Sequence, residues 1–165
     1  MIRLAFFIHF NRTWLGGINV ILNLINFLIM KKKLTNKIKI IIFTNSKENL
    51  KKYNLNKKIK IIEDNNFFDH NIFFKIIDKL FLIINNKTYF FEKLLIKYEI
   101  DFISHTNFVS GRNSLTKSII WLPDFQYLYL PNLFSIKYKF LKYINLKIYK
   151  KCAYKILLSS YSTKH

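Results

Sequence analysis

The sequence predicts an α/β fold in which a parallel sheet of about six strands carries helices on both faces. Two observations lead to this prediction. Short apolar runs recur along the chain, each with the length of a strand that is buried on both faces. Longer segments between them space their apolar residues as helices do. Because strands that alternate with helices pair in parallel through right-handed crossovers, we expect a Rossmann-like sheet with ligands at the carboxyl ends of its strands.

The chain opens with an apolar run from Ile2 to Ile8, which predicts a central strand. A helix is predicted from Gly17 to Met30. Within it, Asn19, Asn23 and Asn26 follow helical spacing and share one face. The aliphatic residues between them are therefore left to pack against the sheet.

The predicted polar turn between this strand and this helix contains Gly16 and Gly17. Glycine allows close approach of the backbone, and the amides that open a helix attract anions, so the pair is a candidate phosphate site. A tight turn without a ligand explains the two residues equally well. The pair matches neither G-x-G-x-x-G nor G-x-x-x-x-G-K-[ST], so nothing in it supports a dinucleotide cofactor or a P-loop ATPase.

The remaining segments continue the alternation of strands and helices. The predicted strands are Ile38 to Thr44, Ile59 to Ile62, Ile100 to Ser104, Ile119 to Leu122 and Ile156 to Ser159. The predicted helices are a short one that Ser46 caps and that runs through Leu50, then Phe67 to Ile84, Thr88 to Tyr98, and a basic helix after Ser135 that runs to Cys152. A further helix would begin within Ser160 to Thr163.

The basic helix is amphipathic in its sequence. Its predicted packing residues are Leu141, Ile144, Ile148 and Cys152, and the lysines predicted to face solvent are Lys139, Lys142, Lys147 and Lys150. This is the pattern of an ordinary surface helix. A helix of this kind is also suited to resting on acidic lipid.

His105 comes directly after the predicted fourth strand, where a parallel sheet delivers side chains to its ligand edge. A lone histidine is nevertheless more often structural than functional. The segment from Phe108 to Thr116 is predicted to be a flexible loop. Arg112 within it is a candidate to meet an anionic acceptor, although an exposed arginine usually has no such role.

Pro123 stops the predicted fifth strand, because proline cannot donate to a strand ladder. We expect a loop from Asp124 to Pro131. Since polar groups held at the carboxyl end of a buried strand are typical of ligand sites in open sheets, Asp124 and Gln126 are candidate site residues.

The composition of the chain excludes several classes of protein. A chain of 165 residues is about one domain, and its 51% of hydrophobic residues exclude a disordered chain. The formal net charge of +19 predicts attraction to phosphates, nucleic acid or acidic lipid, while the codon bias of an AT-rich gene explains the same charge without a function. The single cysteine, Cys152, rules out an internal disulfide framework and suits a reducing cytoplasm. The most apolar segment, Ile18 to Met30, is shorter than the ~20 residues that cross a bilayer.

The run W-L-P-D-F-Q-Y-L-Y-L-P-N-L-F-S, from Trp121 to Ser135, is followed by the basic helix and then by S-S-Y-S, from Ser159 to Ser162. Together with W-L-G-G, from Trp14 to Gly17, these motifs resemble the amino-terminal domain of family 4 glycosyltransferases with the GT-B fold. The resemblance spans nearly the whole chain in the right order. It departs at Tyr127, where many relatives have a histidine, and the chain ends at His165, before that domain is complete.

The resemblance implies a retaining transferase of polysaccharide or glycoconjugate biosynthesis that takes a sugar from a nucleotide donor, with no cofactor and no metal. Relatives react in the cleft between two such domains, and the second domain supplies an E-x7-E pattern and the nucleotide pocket. These 165 residues contain no such donor-binding half, so we expect the chain alone to be inactive. The expected partners are a nucleotide sugar and a glycan or lipid-linked acceptor, with no nucleic acid. The expected location is the cytoplasm, with peripheral contact to the acidic inner face of the cell membrane.

The resemblance also implies roles for single residues. Gly16 and Gly17 are expected beside the donor phosphates, and His105 is expected to be the catalytic residue that faces the transferred sugar. Asp124, Gln126 and Arg112 are expected to position the acceptor or the loop; these three assignments complete the predicted site.

The alternative is a non-catalytic basic α/β module that binds an acidic membrane surface or nucleic acid. It accounts for the charge, but it does not explain why Gly16-Gly17, His105 and Asp124-Phe125-Gln126 all follow strands. A hydrolase is a third possibility. The sequence lacks a G-x-S-x-G motif, a His/Cys cluster with metal spacing and a pair of carboxylates in one loop, so it does not support that class.

Overall fold

The structure is a computed structural model that describes residues 1–10, 15–64, 68, 72–123 and 125–159. The strands are β1 (Ile2–Ile8), β2 (Ile38–Thr44), β3 (Lys60–Glu63), β4 (Phe102–Thr106), β5 (Lys117–Leu122) and β6 (Lys155–Leu158). They form one six-stranded sheet in the order β3-β2-β1-β4-β5-β6, and all neighbouring strands are parallel. This is the strand order of the Rossmann fold, so the predicted fold class is confirmed.

The described helices are α1 (Leu15–Met30), α2 (Lys32–Thr35), α3 (Lys47–Lys51), α4 (Ile72–Asn85), α5 (Phe90–Lys97), α6 (Gln126–Tyr129) and α7 (Ile136–Cys152), with a 3-10 turn at Pro131–Leu133. α3 begins as predicted, because the Ser46 side chain accepts a hydrogen bond from the Asn49 amide at 3.3 Å. Within the described part of the chain, no helix has the length and apolar character needed to cross a membrane.

Two hydrophobic clusters cover the two faces of the central strands, because successive side chains of a strand point to opposite faces. On one face, Phe6, Ile8 and Ile42 pack with Ile18, Ile21, Leu22 and Ile25 of α1. On the other face, Ala5, Phe7, Ile41 and Phe43 pack with Phe91 and Leu95 of α5. Helices therefore flank both faces of the sheet, as the alternation of apolar runs predicts.

β4 runs from Phe102 to Thr106, two residues later than the sequence predicts. The shift has a local cause at the end of α5. The Ile100 amide donates to the Leu95 carbonyl at 2.9 Å, and Glu99 adopts a left-handed backbone with φ of 52°. Ile100 therefore closes the preceding helix, and His105 lies inside the strand instead of after it.

The segment from Pro123 to Ser135 is more regular than the predicted loop. α6 and the 3-10 turn occupy most of it, supported by hydrogen bonds from the Leu130 amide to the Gln126 carbonyl at 2.7 Å and from the Leu133 amide to the Leu130 carbonyl at 3.1 Å. Pro131 opens the 3-10 turn, a position where its missing amide costs nothing. The prediction of a plain loop is thus wrong for this segment.

The segment from Phe108 to Thr116 is held by buried hydrogen bonds, in contrast to the flexible loop predicted for it. The Ser110 hydroxyl donates to the Thr116 carbonyl at 2.7 Å, and the Thr116 hydroxyl donates to the Ile100 carbonyl at 2.6 Å. Gly111 takes a φ of 111°, and a Cβ there would overlap the Asn86 carbonyl oxygen. Buried and bonded in this way, the segment is a fixed connection from β4 to β5.

α7 confirms the predicted helix and part of the predicted division of its faces: Cys152 is buried, Ile148 packs against the same cluster, and Lys147 and Lys150 are exposed. Tyr149 and Cys152 are buried against Ile120 of β5, whereas Leu141, a predicted packing residue, is 47% exposed. Lys142, a predicted solvent residue, is half-buried. Compared with the predicted face, the face of α7 that packs against the sheet is rotated away from Leu141 and toward Tyr149. Several predictions fall outside the described residues: the helix start at Phe67, the W-L-G-G tryptophan Trp14, and the helix beginning within Ser160 to Thr163.

Candidate functional site

A cavity of about 720 Å³ opens at the carboxyl edge of the sheet, beside the ends of β1, β4 and β5. From β1 the chain proceeds outward to β2 and β3, and from β4 it proceeds the other way to β5 and β6. The sheet therefore reverses its direction of winding between β1 and β4. Open α/β sheets bind ligands in the crevice at this reversal. A second cavity, of about 250 Å³, is lined mainly by aliphatic side chains and lies away from this crevice.

The walls of this carboxyl-edge cavity, which we call the cleft, are aromatic and cationic. The aromatic residues that line it are Phe7, Phe68, Phe108, Phe125, Tyr127, Phe134, Tyr138 and Tyr149. Lys75 and Lys142 line it together with His9 and His105, and no carboxylate lines it among the described residues. Large apolar faces with a few polar groups are the usual lining of a small-molecule site. Such walls suit a ligand with apolar faces and hydroxyl or anionic groups.

His105 occupies a bulge at the end of β4. Ser104 pairs with Ile119 of β5, and Thr106 pairs with Ile120, so His105 is the extra residue on its strand. Its backbone is left-handed, with φ of 51°. This conformation costs of order 1 kcal/mol for a residue other than glycine and is concentrated at functional sites. The bulge thus changes the direction in which the imidazole points, and the strained backbone is that of His105 itself.

The imidazole of His105 is held on three sides. Its Nδ1 lies 2.8 Å from the Ser104 hydroxyl oxygen. Its ring centroid lies 5.7 Å from that of Trp121 and 6.3 Å from that of Phe6. This burial lowers the pKa of His105 below its ordinary value, so the ring is neutral at neutral pH. Because Ser104 engages Nδ1, Nε2 is the nitrogen that a ligand in the cleft can reach.

Three tyrosines, Tyr127, Tyr138 and Tyr149, also line the cleft. Burial, and after it the nearby Tyr138, raises the pKa of Tyr127, and burial raises the pKa of Tyr149 to about 12. The Tyr149 hydroxyl donates to the Asn107 carbonyl at 3.2 Å. The phenols of Tyr127 and Tyr149 therefore remain protonated at neutral pH, so these two residues offer hydrogen bonds and ring faces but no base.

Of the predicted site residues, the structure brings His105 and Gln126 together in the cleft. The prediction that Gly16 and Gly17 lie in a turn before the helix is wrong, because α1 begins at Leu15 and both glycines lie in its first turn. They belong to the same edge of the sheet but do not line the cleft. Gly16 is exposed and has open space where a Cβ would be, so close approach of neighbouring atoms does not require a glycine there. Asp124 lies outside the described residues.

Arg112 is exposed in the turn before β5 and does not line the cleft. Burial raises the pKa of the Cys152 thiol at the end of α7, and the charges of Lys151 and then of Arg112 act in the opposite direction. Among the described residues, no group of three or more His, Cys, Asp or Glu side chains is placed to hold a metal ion.

Sequence reasoning missed the part of the cleft that α7 supplies. Tyr138, Lys142, Asn145 and Tyr149 all line the cleft, and their spacing places them on one helical face. That spacing was visible in the sequence. A face that contains a lysine and an asparagine is usually exposed to solvent, so this spacing alone does not indicate a binding site.

Comparisons of this chain with protein-family models, with curated proteins and with solved structures find no match. A function is therefore inferred from the residues of the cleft and from the motifs of the sequence.

Proposed function

We propose that this chain is the acceptor-side domain of a retaining glycosyltransferase that uses a nucleotide-activated sugar. The observation that carries the proposal is the strained, bulged backbone that presents a neutral His105 to an aromatic cleft at the reversal of the sheet. The W-L-P-D-F-Q motif supports it, because Pro123, Phe125 and Gln126 of that motif line the same cleft.

The walls of the cleft suit a sugar acceptor. Aromatic rings stack on the apolar faces of pyranose rings, and the phenols of Tyr127 and Tyr138 offer hydrogen bonds to hydroxyl groups. Lys75 and Lys142 would attract an acceptor that carries a phosphate or a carboxylate. Gln126, with Asp124 beside it in the chain, is proposed to position this acceptor.

His105 is proposed to act near the transferred sugar by hydrogen bonding through Nε2. Nδ1 lies 2.8 Å from the Ser104 hydroxyl oxygen, and in the neutral tautomer whose Nδ1 accepts from that hydroxyl, Nε2 carries the proton and can donate it to a sugar oxygen. Such a contact contributes to catalysis to the extent that it is stronger in the transition state than in the bound substrate.

Gly16 and Gly17 are proposed to meet the donor phosphates through the amides that open α1. The nucleotide itself would be held by a donor-binding half, and a donor placed between two domains loses its contacts and its exclusion of water when one domain is absent. We therefore propose that these 165 residues bind the acceptor but do not catalyse sugar transfer on their own.

Glycan binding to the 165-residue chain tests this function directly. In NMR titrations with a panel of neutral, phosphorylated and uronic acid oligosaccharides, the ring resonances of His105 and Tyr138 should move with the ligand. Shifts confined to surface residues of α2 and α3, or no shifts with any oligosaccharide, would contradict the proposal.

A further inference from the structure

α7 carries the same pair of residue types twice, once toward the cleft and once on the side away from it, which we call its outer face. The Lys142 ammonium lies 5.3 Å from the ring centroid of Tyr138, and the Lys147 ammonium lies 4.5 Å from that of Tyr143. Both pairs have the i, i+4 spacing that brings side chains together on a helix. Only Tyr138 and Lys142 line the cleft. The outer pair therefore shows how a lysine and a tyrosine behave on this helix without a binding site.

Lys142 differs from Lys147 in its surroundings. Lys142 is half-buried, whereas Lys147 is exposed. Across the residues that the structure describes, the Lys142 ammonium has no carboxylate within ion-pair distance and no hydrogen bond. Burying part of an ammonium without a counter-ion costs free energy, because water solvates the charge less well there. An anionic group on a ligand removes this cost by supplying the counter-charge that the chain does not.

Neutral donors and ring faces surround Lys142. Asn145 lines the cleft one turn further along α7, and its amide can donate hydrogen bonds. The Tyr127 ring lies 6.4 Å from that of Tyr138, and burial keeps the Tyr127 phenol protonated by raising its pKa. Phe134 stacks on Tyr138 with ring centroids 5.1 Å apart, which fixes the ring under the ammonium. A cation beside neutral donors is the usual composition of a site for an anionic group.

The overall charge of the chain does not by itself mark this site. With 28 lysines and arginines against 9 aspartates and glutamates, a lysine without an acidic neighbour is common on this protein. The feature that sets Lys142 apart is its partial burial in the cleft, over an aromatic ring that is itself held by another ring. Lys75 of α4 lines the cleft as a second cation, and no acidic side chain lines it among the described residues.

We propose that Lys142 and Tyr138 form an anion subsite in the cleft, and that this subsite selects an acceptor sugar that carries a carboxylate or a phosphate over the corresponding neutral sugar. The ring of Tyr138 contacts the apolar face of the sugar, and the Lys142 ammonium pairs with its anionic group. Lys142 is then the residue that determines specificity. The inference rests on the proposed function, because it names the chemical class of the acceptor.

Matched disaccharides test the proposal with the 165-residue chain. Each neutral disaccharide of glucose, galactose or mannose is compared with two counterparts, one oxidised at C6 to the carboxylate and one phosphorylated at C6. By calorimetric or NMR titration, an acidic member should bind at least about tenfold more tightly than its neutral counterpart, which is the scale of a hydrogen bond to a charged group. The preference should shrink in high salt. The counterpart that binds more tightly identifies the anionic group as carboxylate or phosphate.

Lys142→Gln should remove most of this preference, lowering the affinity for the acidic member about tenfold more than that for the neutral member. Lys147→Gln is the matched control, because it removes the same charge from the same helix beside Tyr143 and outside the cleft. It should keep the preference of the parent chain. Lys142→Arg should also keep it, since a guanidinium pairs with carboxylates and phosphates as well.

The outcomes separate this proposal from the proposed function. Equal binding of neutral and acidic members, or equal losses in Lys142→Gln and Lys147→Gln, would overturn the anion subsite and leave a sugar-binding cleft. If no disaccharide binds, the proposed function fails, and inorganic phosphate becomes the probe. The anion subsite then survives only if phosphate shifts the ring resonances of Tyr138 in the parent chain and not in Lys142→Gln. A nucleoside diphosphate that depends on Lys142 and binds more tightly than every acidic sugar would assign the subsite to the donor and overturn the proposal.

Discussion

The Ser104 hydroxyl and the His105 imidazole, carried by adjacent residues of β4, meet at 2.8 Å. Adjacent side chains of a regular strand point to opposite faces of the sheet and do not meet in this way. The contact exists because the bulge turns His105 out of the alternation. Backbone strain, ring orientation and the availability of Nε2 are thus consequences of a single extra residue in β4.

The protonation of His105 should destabilise the fold at acidic pH. Burial lowers its pKa in the folded state below the ordinary value of about 6.5, so the unfolded chain binds the proton more tightly. The free energy of unfolding should therefore fall as the pH drops from about 6.5 to the folded pKa. Urea unfolding at a series of pH values, with an NMR titration of the ring, measures this.

His105→Asn is the matched control for this pH dependence, because asparagine tolerates a left-handed backbone and does not titrate. The variant should lose the part of the pH dependence that lies in this window. A His105 pKa at or above the ordinary histidine value would contradict the predicted effect of burial.

Gly111→Ala should destabilise the chain by at least about 2 kcal/mol. A Cβ at Gly111 would overlap the Asn86 carbonyl oxygen and the Lys87 Cα, and the φ of 111° is strained for any other residue. Gly16→Ala is the control, because a Cβ there meets open space and alanine favours the helix. Its stability should be unchanged or slightly higher in urea unfolding. Equal losses at both glycines would show that the connection from β4 to β5 does not depend on Gly111.

Tyr138→Ala should weaken glycan binding about fivefold, since a stacked ring face contributes of order 1 kcal/mol. Tyr143→Ala is the control from the same helix, because Tyr143 lies on the outer face of α7 and does not line the cleft. Calorimetric or NMR titration with an oligosaccharide that binds the parent chain compares the two. Similar losses for both variants would mean that the ligand binds outside the cleft.

The strands and helices could be predicted from the sequence because the signals are local. β1 and β2 begin and end at the predicted residues, since their apolar runs are bounded by polar ones. The bulge at His105 could not be predicted in this way. A left-handed residue is usually signalled by glycine or asparagine, and a histidine in an apolar strand gives no such signal.

The composition of the cleft depends on how α7 is rotated, and the sequence alone does not determine that. The packing face that the sequence predicts contains Leu141, Ile144, Ile148 and Cys152, and Tyr138, Lys142 and Tyr149 lie beside it on the helix. β5 sets the rotation, because the cluster around buried Ile120 takes in Tyr149 together with Cys152 and Ile148, while Leu141 stays exposed. The tyrosines are thereby brought to the cleft. Lysine and tyrosine side chains are apolar along their length and polar at the tip. A hydrophobicity pattern therefore does not identify the face that contains Tyr138, Lys142 and Tyr149 as a packed one.

The role of His105 can be measured in a version of the protein that carries a donor-binding half. We expect His105→Ala to lower kcat and kcat/KM together by on the order of a hundredfold, the scale of a lost polar catalytic group whose contact is made mainly in the transition state. Alanine at position 105 would still have a strained left-handed backbone, whereas glycine adopts this conformation without strain. His105→Gly therefore separates the loss of the imidazole from a loss of folding stability. If the histidine acts on the sugar, both variants should be equally slow while the glycine variant unfolds at the higher temperature. Near-parental kcat in the glycine variant would assign His105 a structural role at the end of β4.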